Sequence, residues 1–151
     1  MEDGRPFLVG GRWSQSTTVA PVRNPYTGET IAHVCQATAA DAESAMQSSV
    51  DGAAAMRRLS GHARATLLAQ AAQALQARQE EFARTMTAEA GKPLTDARRE
   101  VGRAIQTLLI AGEEAKRIGG EVVPLDWQPG MESYWGVTRR FPIGPVLGIT
   151  P

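Results

Sequence analysis

The sequence predicts an α/β protein in which small antiparallel strands and three amphipathic helices lead into the first strand of a larger, helix-covered sheet. Three observations carry this. Residues 7–35 hold four short extended runs punctuated by glycine and proline, and residues 39–118 hold long stretches whose apolar residues recur at three- and four-residue spacing. Near the end, Val146-Leu147-Gly148-Ile149 is a continuous apolar run bounded by Pro145 and Pro151. A short run of that kind marks a strand buried on both faces, as in the parallel sheets that helices cover. Parallel partners need crossovers of about a dozen residues or more, so the rest of that sheet is expected beyond Pro151 or from another molecule.

The elements follow in order. Phe7 to Trp13 reads as two strands around Gly10-Gly11, a pair able to take the positive φ of a tight hairpin turn. Val19 to Val22 and Thr30 to Cys35 are expected to lie antiparallel across Asn24-Pro25-Tyr26-Thr27-Gly28-Glu29, where Pro25 presets φ and Gly28 offers a left-handed position. Thr38 and Asp41 have capping-box spacing, and Ala42, Met46, Val50 and Ala53 continue a first helix over 39–56. Ser60 is a good N-cap for a second helix over 60–90, with Leu68, Ala72, Leu75, Phe82 and Met86 on one stripe and Gly91 as its stop. Pro93 opens a third, over 94–118, carrying Leu94, Ala97, Val101, Ile105, Leu108, Ala115 and Ile118. A polar link then passes Trp127 and Gly130, and Glu132 to Phe141 reads as a strand.

Composition narrows the function classes. The chain of 151 residues is 42% hydrophobic and 21% charged, ordinary for a globular domain with a real core. Sixteen basic residues balance sixteen acidic ones, so no long-range field gathers nucleic acid or an anionic membrane. Cys35 is the one cysteine, which rules out an intrachain disulfide and points to a reducing, cytoplasmic compartment. The start, Met1 to Pro6, is acidic and lacks the apolar core of a signal peptide, and no stretch approaches membrane-spanning length.

Chemical motifs are sparse. His33 and Cys35 share one face of a strand, yet with no third orienting group they read as a small buried thiol and an edge histidine rather than a nucleophile pair. His62 adds no plausible metal set. Gly91-Lys92 fails as a phosphate loop because Met86 stands where the motif needs glycine and Pro93 where it needs Ser or Thr; a G-x-G-x-x-G run is also absent. The arginine pairs 57–58, 98–99 and 139–140 are scattered and acid-balanced rather than a nucleic-acid face; the first two read as solvated helix ends or faces, and Arg139-Arg140 falls in the strand expected over Glu132 to Phe141.

Four stretches carry a family resemblance. Phe7-Leu8-Val9-Gly10-Gly11-Arg12-Trp13, Asn24 to Glu29, Ala90-Gly91-Lys92-Pro93, and Gly136 to Pro151 resemble motifs of NAD(P)-dependent aldehyde dehydrogenases, in the family's order and at about its spacing. The resemblance implies that residues 1–130 form the N-terminal part of the cofactor-binding domain, 131–142 an oligomerisation strand, and 143–151 the start of the cofactor sheet. It further implies NAD or NADP as cofactor, an aldehyde as substrate, and homo-oligomers joined through the strand near Trp135 to Phe141. By the same carry-over the main chain at Ile149 and Thr150, with Pro151, lines the adenosine-side ribose. The family's cysteine nucleophile and glutamate base match no position here, and Cys35 is not the nucleophile. The resemblance therefore implies an N-terminal segment without catalytic or metal residues of its own, inactive alone, and closest in its 141–151 stretch to the semialdehyde, lactaldehyde and non-phosphorylating glyceraldehyde phosphate branches. The rival reading is a free-standing helical interaction module whose apolar tail binds a partner.

Overall fold

A computed structural model of the chain describes residues 4–150. Its elements begin with a hairpin of β1 (Phe7–Val9) and β2 (Arg12–Ser14), which pair antiparallel with Leu8 opposite Trp13. Gly10 and Gly11 at the tip have φ of 57° and 77°, the double positive φ that a two-residue turn demands. β3 (Val19–Arg23) and β4 (Thr30–Cys35) form a second antiparallel pair with an irregularity between Val22 and Arg23. The Asn24 side chain closes their turn by accepting from the Tyr26 and Thr27 amides at 2.9 and 3.3 Å. Arg5 lies beside β4, its amide donating to the His33 carbonyl at 2.8 Å and its carbonyl accepting from the Cys35 amide at 3.0 Å.

Helix α1 (Ala39–Arg58) starts with the expected capping box between Thr38 and Asp41 and ends on two basic residues that suit the negative end of its dipole. None of its residues is fully buried.

The second helix departs from expectation. Residues 60–90 are not one helix but two, α2 (Gly61–Ala77) and α3 (Gln79–Ala90), separated by Arg78 at φ −114°, ψ 17°. The break occurs without glycine or proline. Arg78 grips Glu81 with two hydrogen bonds of 2.8 and 2.5 Å and lies 5.2 Å from the centre of the Phe82 ring, so it ends one helix and braces the first turn of the next. Glu80 and Glu81 in that turn suit the positive end of the α3 dipole.

Helix α4 (Leu94–Ala115) stops three residues short of the expected 118. It packs against both α2 and α3, which makes it the centre of the core. Ala72, Ala83, Ala97, Val101 and Ile105 are buried there, with Leu75, Met86, Leu94 and Leu108 packed around them. Alanine at three of those five positions lets the helices approach closely, so the apolar stripe read from the sequence is confirmed at its centre. It fails at its margins, where Phe82 and Ile118 are exposed.

Two further corrections concern the last third. The polar link after Gly120 contains a strand, β5 (Val122–Pro124), which pairs antiparallel with β6 (Trp135–Val137). The strand expected over Glu132 to Phe141 is thus only three residues long, bounded by a turn around Gln128 to Tyr134 and by the 138–150 segment. The described strands make three separate two-stranded sheets, and the 146–149 run has no strand partner among them.

Candidate functional site

Two of the glycine-bearing corners meet in space. Gly91, at φ 67°, ends α3 in the left-handed conformation, and a Cβ placed on it would stand 2.9 Å from Cγ of Pro25. The Asn24 to Glu29 turn therefore rests on the Gly91-Lys92-Pro93 corner, although 66 positions separate Pro25 from Gly91 in the chain. Lys92 reaches across the corner to pair with Glu100 on α4. That pairing, with the charge of Arg103 adding to it, holds the Glu100 carboxyl below its ordinary range. On the other side of α4, Arg98 holds Glu80 through two bonds of 2.8 Å, assisted by Arg84 at 2.9 Å, and lowers that carboxyl as well. These pairs link α3 and the Gly91-Lys92-Pro93 corner to α4 at the surface.

The described residues place the expected cofactor positions at a free end. Ile149 is 88% exposed and Thr150 is exposed; Pro151 lies outside the described residues. The main-chain groups of Ile149 and Thr150 make no backbone hydrogen bond among the described residues.

Cys35 is half-buried, its thiol donating toward the carbonyls of Gly4 and Ser16 at 3.5 and 3.6 Å. No group of three or more His, Cys, Asp or Glu side chains able to hold a metal occurs among the described residues. No helix among them is long and apolar enough to cross a membrane.

The surface that remains is unusually apolar for a closed molecule. Trp13, Trp127 and Trp135 are 65% to 77% exposed, and Phe141, Ile143, Val146, Leu147 and Ile149 are exposed along the last segment. Most of these residues lie between the β5–β6 hairpin and Ile149, and exposed apolar surface of that kind suits a contact surface.

The described residues thus form a helical layer with three peripheral hairpins and an exposed apolar segment after β6. The comparisons agree. The model of the aldehyde dehydrogenase family matches residues 13–151, and the chain belongs to that family. It is 41% identical over 145 residues to a 3-sulfolactaldehyde dehydrogenase from Priestia aryabhattai, covering 96% of this chain and 30% of that protein. An aspartate-semialdehyde dehydrogenase from Pseudomonas canavaninivorans is 39% identical over 130 residues, 86% of this chain and 28% of the relative. Among solved structures, aldehyde dehydrogenase 21 from Physcomitrella patens, in complex with the reaction product succinate, superposes with a TM-score of 0.81 at 36% identity, covering 90% of this chain and 28% of the other. The chain thus spans about 30% of the length of the relatives it matches.

Proposed function

We propose that this chain serves as the N-terminal segment of an NAD(P)-dependent aldehyde dehydrogenase, contributing the outer helical layer of the cofactor domain, an oligomerisation strand and the first cofactor-sheet strand. In that reading residues 1–130 belong to the cofactor domain, 131–142 to the subunit contact and 143–151 to the sheet. The observation that carries it is the exposed apolar segment from Phe141 to Ile149, the stretch read from the sequence as the first sheet strand, which pairs with no strand among the described residues. A free-standing helical module has no use for such a strand, and the family match across 13–151 favours the dehydrogenase reading further.

The reaction is oxidation of an aldehyde to an acid through a cysteine thioester. The nicotinamide, when bound, accepts the hydride. This chain's part is to line the adenosine ribose with the main chain at Ile149, Thr150 and Pro151 and to position the sheet; the thiolate and the base match no position of this chain. The substrate is a short aldehyde bearing an acid group, the chemistry shared by 3-sulfolactaldehyde and aspartate semialdehyde, which the two relatives' names give. The compartment is the cytoplasm, consistent with a lone, half-buried thiol.

NADH or NADPH formation by the purified chain, with 3-sulfolactaldehyde, aspartate semialdehyde and succinate semialdehyde in turn, tests the assignment. The chain alone should give no rate above buffer. Turnover that vanishes in Cys35→Ser would make Cys35 a nucleophile and overturn the reading.

A further inference from the structure

Charge is unevenly distributed around this chain. Seven of its basic side chains each face a carboxylate within 3.3 Å, so most of the helical surface is locally neutral. Five of the remaining arginines gather in one place. Arg57 and Arg58 at the end of α1, Arg64 in the first turn of α2, and Arg139 and Arg140 after β6 all line one wide crevice of about 1730 Å³. No aspartate or glutamate lines it, and none of the five forms an ion pair among the described residues.

Local contacts hold several of these arginines without consuming their charge. Arg64 donates one N–H to the Leu59 carbonyl at 2.6 Å, which pins its guanidinium across the α1–α2 corner and leaves further donors. Arg139 lies 5.3 Å from the centre of the Phe141 ring, a contact with the cation's face that leaves its edge N–H groups free. Ser60 and Gly61, at the N-terminus of the 17-residue α2, line the same crevice and add the positive end of its dipole. Guanidinium groups gathered in a concave, carboxylate-free site attract anions with paired oxygens more strongly than the same groups spread over a convex surface.

We propose that this crevice binds a small, multiply charged oxyanion of the phosphate or sulfonate class, at a place separate from the cofactor strand end at Ile149 and Thr150. The inference rests on the arginine cluster and is independent of the proposed reaction.

Calorimetric titration of the chain with inorganic pyrophosphate, and in parallel with sulfate, provides the test. Saturable one-to-one binding is expected, weakened at least tenfold in Arg139→Gln/Arg140→Gln and in Arg57→Gln/Arg58→Gln, and unchanged in Arg99→Gln/Arg103→Gln on α4. Circular dichroism of each variant confirms that the helices persist, and the two crevice pairs lie on different elements, so loss of folding in one leaves the other to decide. Absence of saturable heat with both anions overturns the proposal. So does equal weakening by the crevice pairs and the α4 pair, which would reduce the effect to general surface charge.

Discussion

Ile105 and Leu108 stand one helical turn apart on α4, and the difference in their surroundings makes a direct test of the core. Ile105 is 6% exposed within the buried cluster, whereas Leu108 packs against that cluster from its edge. Ile105→Ala should cost about 2 to 5 kcal/mol, the usual range for a buried large-to-small change. Leu108→Ala should cost less, because part of its side chain is already in water. Urea midpoints of both variants against the parent check the order, and a reversed order would move the core. Glu80 supplies a pH test. Its carboxyl is depressed below the ordinary 4.5, first by its hydrogen bond from Arg98, so the stability it contributes is present above pH 4.5 and is lost as pH falls through its folded value. Glu80→Gln should therefore lower the urea midpoint slightly at pH 7, with the gap to the parent closing below pH 4.5. A gap that persists in acid would show that Glu80 acts through packing rather than charge.

At the level of elements, local signals were legible where a side chain dictates backbone geometry. The Gly10-Gly11 turn, the Thr38–Asp41 capping box, the Ser60 N-cap and the Gly91 stop all stand where the sequence places them. The break at Arg78 was not legible by the same logic, because a guanidinium clamp on Glu81 and Phe82 does what glycine or proline usually does. β5 was missed because Val122 to Pro124 is too short to show a period, and it exists through pairing with Val137, Gly136 and Trp135 across a long turn. Gly91 carries two demands at once, a positive φ and contact with Pro25, the second of which only the folded chain displays. Gly91→Ala should therefore destabilise by more than the roughly 1 to 2 kcal/mol of left-handed strain alone. Pro25→Ala in the same background should recover part of that loss, and thermal melts of the two variants decide whether the corners are coupled.

For the molecule as a whole, the apolar 141–149 segment is the feature that sequence and structure share most plainly, and neither gives it a partner among the described residues. Unpaired strand edges with exposed apolar side chains recruit neighbours. The chain should self-associate at tens of micromolar, and deletion after Phe141 should reduce the effect in light scattering; a monodisperse monomer would favour the interaction module instead. The expected cofactor residues were legible only through the family resemblance, since Ile149 and Thr150 are by themselves ordinary residues at a strand end. A chimera reaches that central claim most directly. The segment of the Priestia aryabhattai 3-sulfolactaldehyde dehydrogenase that matches this chain, about 30% of that protein, is exchanged for residues 1–151, and cofactor reduction is followed with 3-sulfolactaldehyde. The chimera is predicted to oxidise the aldehyde while this chain alone does not. A folded, oligomeric chimera without turnover, or turnover by the isolated chain, would contradict the assignment of this chain as the family's N-terminal segment.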